Sequence, residues 1–246
     1  MGSSADLLLV IPVFNEVGLV KEACEDVQKA IRKNPKLRVC IVDDGSTDGT
    51  GAAFRRILKK VKNTEVKILP QNAGKGRAVR EGFRGADEKY LIFMDGDLAY
   101  SMDHLYPMKQ ALLANDLVIG SRSMVPQAQG GLPARRAFLG WAFNRLVCFL
   151  LGFQYSDTQA GLKGFTNEAA GKLFFRQKLK HFAFDAELLY LAKKLGLRVG
   201  QIPAHVSPRH SYKTSHVKLL RNSLSCLLDI FCIRWWSWTG VYRSSR

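Results

Sequence analysis

Three acidic clusters carry the chemistry this sequence could do: Asn15-Glu16, Asp43-Asp44 and Asp95-Gly96-Asp97, each following a short apolar run. In the last, two carboxylates one residue apart point the same way along an extended chain. Such a pair suits a hard divalent cation, Mg²⁺ or Mn²⁺, bridged to a diphosphate. Taken alone, the triplet is equally a solvated acidic turn. The five histidines show no metal-ligand spacing. Cys24, Cys40, Cys148, Cys226 and Cys232 are odd in number and contain no CxxC pair. That excludes a cysteine zinc site and a disulfide scaffold, and fits a reducing compartment.

The elements that must position these clusters are read from periodicity. Leu7–Val13 is a continuous apolar run, as a strand buried on both faces requires. Further strands are expected at Val39–Val42, Val66–Leu69, Tyr90–Met94 and Leu117–Ile119. Helices are expected from Glu16 to about Asn34, from Asp48 to about Lys62, over 75–87 and over 103–115. Strand–helix alternation implies an α/β sheet with helices on both faces. Ligands of such sheets bind at the carboxyl ends of the strands. All three acidic clusters sit at strand ends, so they converge on one crevice. After residue 121 the pattern changes: residues 122–134 are loop-like, helices follow over 167–176 and 184–195, and a strand over 197–203. Val217, Leu220, Leu224, Leu227, Phe231 and Trp235 recur at spacings of three and four, one apolar helical face in the tail.

The chain has 246 residues and a net charge of +16. The excess is uneven: residues 158–246 carry 15 Lys and Arg against 4 Asp and Glu. A basic region of this kind favours an anionic partner. No leader pattern is read at Met1–Asp6, and no uninterrupted apolar run approaches the roughly 18 residues of a membrane span.

Several strings together resemble glycosyltransferase family 2. They are Val10-Ile11-Pro12-Val13-Phe14-Asn15-Glu16, Val42-Asp43-Asp44-Gly45-Ser46-Thr47-Asp48-Gly49-Thr50, Asn72-Ala73-Gly74-Lys75-Gly76 and Asp95-Gly96-Asp97. The likeness continues through Gly120-Ser121-Arg122, residues 157–165 and Phe182-Ala183-Phe184-Asp185-Ala186-Glu187, to about residue 210. The later strings look most like the family's polyprenyl-phosphate sugar synthases, the dolichyl-phosphate glucosyl and mannosyl enzymes. The resemblance implies a GT-A fold, a mostly parallel twisted sheet flanked by helices, followed by C-terminal amphipathic helices. It implies a transferase domain over 1–210, with a nucleotide-sugar half to about 121 and an acceptor half over 122–210. Residues 211–246 would form a basic, amphipathic, membrane-proximal tail.

By the same resemblance, Pro12, Glu16, Asp43 and Asp44 line the nucleoside pocket, and Lys75 lies near the nucleotide. Asp95 and Asp97 take the ribose and metal positions, with Asp97 and Arg122 as the catalytic pair. Arg122, Arg135 and Arg136 hold the acceptor phosphate, and Asp157 and Gln159 belong to an acceptor-side motif. Two departures stand out. Ala99 occupies a position where mannosyl enzymes carry a metal-binding Gln, so water or a group such as Ser101 would complete the shell. The mannosyl enzymes' diphosphate segment is altered here, leaving Arg209 and Lys213 as its candidates.

The implied reaction is an inverting, in-line displacement that carries a hexose from a nucleotide-sugar, UDP-glucose favoured, to polyprenyl or dolichyl phosphate. A phosphate acceptor is already anionic, so positioning and charge stabilisation replace a strong general base. Residues 135–153 and 215–238 mix apolar groups with Arg and Lys, and Trp235, Trp236 and Trp238 suit a bilayer interface. The expected location is the cytoplasmic face of a membrane, peripherally: endoplasmic reticulum in a eukaryote, plasma membrane in a prokaryote. Docking of the tail on a membrane-protein partner is the alternative. A GDP-mannose-dependent synthase is the nearest rival. A non-catalytic membrane scaffold is another, against which Asp95 and Asp97 argue. A nucleic-acid binder would explain the charge, but no RRM, KH or zinc pattern is present. A dinucleotide enzyme fails for want of GxGxxG.

Overall fold

The computed structural model describes residues 5–97, 99–125, 134–181, 183–205 and 219–243; for 134–137 and 219–224 only the backbone is described. Seven strands form one sheet: β1 (Leu7–Val13), β2 (Leu37–Asp43), β3 (Thr64–Ile68), β4 (Tyr90–Met94), β5 (Leu117–Ser121), β6 (Leu162–Thr166) and β7 (Val199–Pro203). Their order is β3-β2-β1-β4-β6-β5-β7. All neighbours pair parallel except β6, which runs antiparallel to both β4 and β5.

Every residue of β1 is buried because both of its faces are covered. Leu7, Leu9 and Ile11 pack with α1 (Val20–Lys33), α2 (Thr50–Leu58) and α4 (Leu105–Ala111). Leu8 and Val10 face the opposite layer, with α3 (Lys75–Phe83), α5 (Ala134–Leu151), α6 (Asn167–Arg176), α7 (Phe184–Lys194) and α8 (Leu219–Trp238). This alternation between two apolar layers is why the strand reads as an unbroken apolar run.

Three expectations change. The helix expected from Glu16 begins as a 3₁₀ turn, Val17–Leu19, before α1. A strand that periodicity did not signal, β6, lies inside the sheet, between β4 and β5. Its sequence, LKGFT, breaks an apolar run with Lys163, which is nevertheless 0% exposed. The expected apolar stripe of the tail divides: Leu227 packs against the core, Val217 lies outside the described residues, and the side chains of Leu220 and Leu224 are not described. Phe231 and Trp235 are exposed, whereas Cys226, Ile230 and Ile233 enter the core.

α8 is fastened at its end. Glu187 on α7 is fully buried; its Oε1 accepts from the Lys178 backbone N–H (2.9 Å) and the Tyr242 hydroxyl (2.7 Å), and its Oε2 from the Leu179 N–H (2.9 Å). Burial pushes this carboxyl up, and the three donors offset part of that. Tyr242→Phe removes one donor from a buried carboxylate, an expected loss of about 1–2 kcal/mol. Thermal unfolding should show Tm lower by roughly 2–8 °C for a chain of this size; an unchanged Tm would contradict the fastening.

Candidate active site

The site gathers at the carboxyl end of the parallel strands. Because β6 runs the other way, it is the segment entering β6 that arrives there. The Asp95 N–H bonds the Gly161 carbonyl at 2.9 Å, which seats the segment entering β6 against the end of β4. The approach is so close that a Cβ on Gly161 would collide with the Asp95 carboxylate.

The two loops after β1 and β2 are stitched to each other. The Asn15 N–H donates to Ser46 Oγ (2.8 Å), and Asn15 Oδ1 accepts from the Thr47 N–H (2.9 Å). The Glu16 N–H donates to Thr50 Oγ1 (2.9 Å), beside the Asp48 carboxylate that accepts from the Thr50 and Val17 N–H groups. Pro12 is buried within β1, opposite Val42. Asp43 Oδ1 takes the N–H and hydroxyl of Ser46, and its other oxygen packs on Gly51. Asp44 accepts from the Ala73 and Gly74 N–H groups, one on each oxygen at 2.8 Å. Burial holds its carboxyl above the usual range, with these two bonds opposing. Asp43 thus shapes its own turn, and Asp44 anchors the Asn72–Gly76 loop. Gly74 (φ 91°) takes a left-handed turn there that launches α3 with Lys75 at its first position.

Lys75 Nζ lies 2.7 Å from Asp95 Oδ1 and 3.4 Å from Asp185 Oδ2, with the Phe93 and Phe184 ring centroids at 5.3 and 5.4 Å. Asp185 also meets Lys163 Nζ at 2.5 Å, and Lys163 donates to the Ala160 carbonyl at 2.7 Å. Burial pushes the Lys163 ammonium below the usual lysine range, with Asp185 opposing. For Lys75 burial acts in the same sense, but the carboxylates of Asp185 and Asp95 outweigh it and hold its pKa above the usual range.

Arg122, just past β5, meets Asp157 in a two-pronged pair, Nε to Oδ2 at 2.8 Å and Nη2 to Oδ1 at 3.2 Å. The Asp157 side chain is 8% exposed and the Arg122 side chain 50%. The guanidinium is therefore aimed by a buried carboxylate while keeping an open side, a geometry suited to a second oxyanion. Asn144 on α5 fixes the preceding turn, its Oδ1 accepting from the Thr158 N–H and hydroxyl and its Nδ2 donating to the Tyr155 carbonyl. Tyr100, 4% exposed, lies within electrostatic reach of Arg122, Asp95, Asp157 and Lys75, and burial pushes its hydroxyl above the usual range. Lys75–Asp95 and Arg122–Asp157 thus lie near one another, with Tyr100 within reach of both.

Gln159 turns away toward α8, its Nε2 3.1 Å from Cys226 Sγ. Ser101 caps the 3₁₀ turn Met102–His104, its hydroxyl accepting from the Asp103 N–H and donating to Asp103 Oδ2. Arg135 and Arg136 fall in the first turn of α5, where only the backbone is described; Arg209 and Lys213 lie outside the described residues. Sequence reasoning quoted Lys163 and Asp185 within motifs without giving them a task, and missed Tyr100. The one signal for Lys163 was a lysine inside an apolar run, which burial permits only with a carboxylate partner.

For a divalent cation the donor set fits. Asp95 and Asp97 offer hard carboxylate oxygens, and Asp97 Oδ1 is turned by the Ala99 N–H (3.0 Å). No group of three His, Cys, Asp or Glu side chains that could hold a metal occurs among the described residues. The remaining ligands would come from a diphosphate and water, the usual manner of Mg²⁺ with nucleotides. Gly161→Ala, which must displace the Asp95 carboxylate, should weaken metal-dependent nucleotide binding about tenfold or more, ~1.4 kcal/mol. Calorimetry at unchanged Tm checks this, and wild-type affinity would contradict it.

Comparison with known proteins accords with this geometry. The glycosyl transferase family 2 model matches residues 8–181. The dolichyl-phosphate beta-glucosyltransferase of Saccharomyces cerevisiae is 30% identical, over 98% of this chain and 77% of that protein. Its namesake in Dictyostelium discoideum is 28% identical, over 96% of this chain and 76% of that protein. Among solved structures, glucosyl-3-phosphoglycerate synthase from Mycobacterium tuberculosis, in complex with Mn²⁺, UDP and phosphoglyceric acid, superposes with a TM-score of 0.66 at 18% identity, over 93% of this chain and 79% of that one. Mannosyltransferase PcManGT from Pyrobaculum calidifontis, in complex with GDP-Man and Mn²⁺, gives 0.55 at 20% identity, over 80% of this chain and 55% of that one. These two likenesses concern the fold. With its sheet, its strand-end carboxylates and a match over most of its length, the chain belongs to glycosyl transferase family 2.

Proposed function

We propose that this chain is an inverting glucosyltransferase that moves glucose from UDP-glucose to a polyprenyl, specifically dolichyl, phosphate at a membrane surface, with Mg²⁺ or Mn²⁺. One observation carries the reading: the guanidinium held by Asp157 lies within electrostatic reach of Asp95, which pairs with Lys75. A donor diphosphate and an acceptor phosphate can then be held on opposite sides of the anomeric carbon. The dolichyl-phosphate beta-glucosyltransferases of yeast and Dictyostelium support the choice of glucose and of dolichyl phosphate.

Pro12 and Glu16 would border the nucleoside, with Asp43 and Asp44 shaping its pocket through the turns they hold. Asp95 would meet the ribose and, with Asp97, hold the cation. The cation, when bound, neutralises charge developing on the departing diphosphate. Lys75 adds a second positive charge on that side. Arg122 orients the acceptor phosphate for in-line attack, with Arg135 and Arg136 as further basic groups. The attacking oxygen is already anionic, so no proton need be removed, and the rate comes from alignment and charge. Arg209 and Lys213 remain candidate contacts of the donor.

The membrane part rests on surface chemistry. Among the described residues no helix is long and apolar enough to cross a membrane. α5 exposes Phe138, Trp141 and Phe149, and α8 exposes Phe231, Trp235 and Trp238. The two helices pack side by side, with Arg145 and Arg234 among these aromatics. Aromatic groups interleaved with arginine suit the boundary between acyl chains and anionic headgroups.

The direct test is transfer of labelled glucose from UDP-glucose to dolichyl phosphate, scored in the organic phase, beside GDP-mannose. Glucosyl lipid from UDP-glucose is expected. Mannosyl lipid alone would overturn the donor, and no lipid product the reading itself. Arg122→Ala and Asp157→Asn should each lower kcat/KM about a hundredfold, in line with loss of one preorganised charge contact. Trp235→Ser with Phe231→Ser should weaken partition onto anionic vesicles by at least ~tenfold, each large apolar group contributing about 1.5–3 kcal/mol on burial; unchanged partition in a sedimentation assay would remove α8 from the membrane surface.

A further inference from the structure

Lys163, Asp185, Lys75 and Asp95 form a chain of alternating charge that runs from the core to the strand-end carboxylates. Lys163 is 0% exposed and Asp185 is nearly so, and they meet at 2.5 Å. A buried lysine of this kind fixes its carboxylate partner, because separating them strands both charges in a low dielectric. The other oxygen of Asp185 then reaches Lys75, whose ammonium lies between it and Asp95. The Phe93 and Phe184 rings flank Lys75, and the Phe93 ring also lies under Lys163.

The shorter of the two contacts of Lys75, 2.7 Å against 3.4 Å, is with Asp95. A divalent cation at Asp95 would stand close to this ammonium, and like charges at that range repel. We propose that Lys75 is a resident cation that neutralises Asp95 in the donor-free protein, and that the Lys163–Asp185 pair is the positioning device that keeps it there and retains it when the donor arrives. The divalent ion then enters together with the diphosphate. The diphosphate gives Lys75 an anionic partner in exchange for Asp95, while Asp185 remains its tether. Lys163 and Asp185 act through Lys75 and touch neither substrate. The inference rests on the proposed donor and cation site and adds the order in which that site fills.

The measurement is Mn²⁺ titration of the nucleotide-free protein, read by loss of the free-ion electron paramagnetic resonance signal, in wild type and Lys75→Met. This variant leaves the Lys163–Asp185 pair whole. Removing the competitor should tighten Mn²⁺ about tenfold, ~1.4 kcal/mol, and the gain should vanish in Lys75→Met/Asp97→Asn. Equal Mn²⁺ affinity in wild type and Lys75→Met overturns the proposal, as does a gain that persists without Asp97. Failure of the underlying reading looks different: wild type would bind UDP equally with and without Mn²⁺. The tether is tested in Asp185→Asn/Lys163→Met, which removes both core charges. Donor KM should rise about tenfold, ~1.4 kcal/mol, with kcat nearly unchanged; a fall in kcat at constant KM overturns the tether. The Mn²⁺ titration stands whether or not the double variant folds.

Discussion

The reversal of one strand decides where the chemistry is done. β6 runs antiparallel between β4 and β5, so the turn that enters it arrives at the end of the sheet where β1, β2, β4 and β5 leave. Had β6 run parallel, Asp157 and Gly161 would lie at the opposite edge, far from Asp95. Lys163, buried within this strand, demands a buried carboxylate on the neighbouring helix. Asp185 meets that demand, and in doing so reaches Lys75. A packing requirement and a binding arrangement are thus one set of contacts.

Each buried carboxylate in this region has fixed donors. Asp44 is held by two backbone N–H groups, Asp157 by a guanidinium and Asp185 by two ammonium groups. A carboxylate without such partners would be expensive to bury. With them, each becomes a rigid point from which a second group is aimed: the Asn72–Gly76 loop, Arg122 and Lys75. Preorganisation of this kind is what a transferase using an already anionic nucleophile needs, because alignment and charge are all that the protein must supply.

Much of this was legible in the sequence, for a physical reason. Strands covered on both faces must be apolar throughout, so β1 and β4 announce themselves, and the acidic residues that follow them sit at strand ends by the same logic. β6 was not legible. Five residues containing Lys and Gly do not read as a buried strand, and the carboxylate that permits burial of Lys163 is supplied by Asp185, distant along the chain. The tail was legible in part. α8 is apolar on more than one side, so spacing of three and four could pick out Leu227, Phe231 and Trp235 without telling that Cys226, Ile230 and Ile233 face the core. Asp43 and Asp44 were assigned to a nucleoside pocket by resemblance; their carboxylates also hold turns, a role fixed by backbone N–H groups that no side-chain pattern displays.

The central claim is that Asp95 and Asp97, with Lys75 beside them, receive a metal-bound uridine diphosphate sugar. Calorimetric titration of UDP-glucose and of GDP-mannose into the protein, each with and without Mn²⁺, tests it most directly. Binding of UDP-glucose that requires Mn²⁺ and exceeds that of GDP-mannose is the result predicted. Binding of neither nucleotide-sugar, or equal binding without the metal, would contradict it.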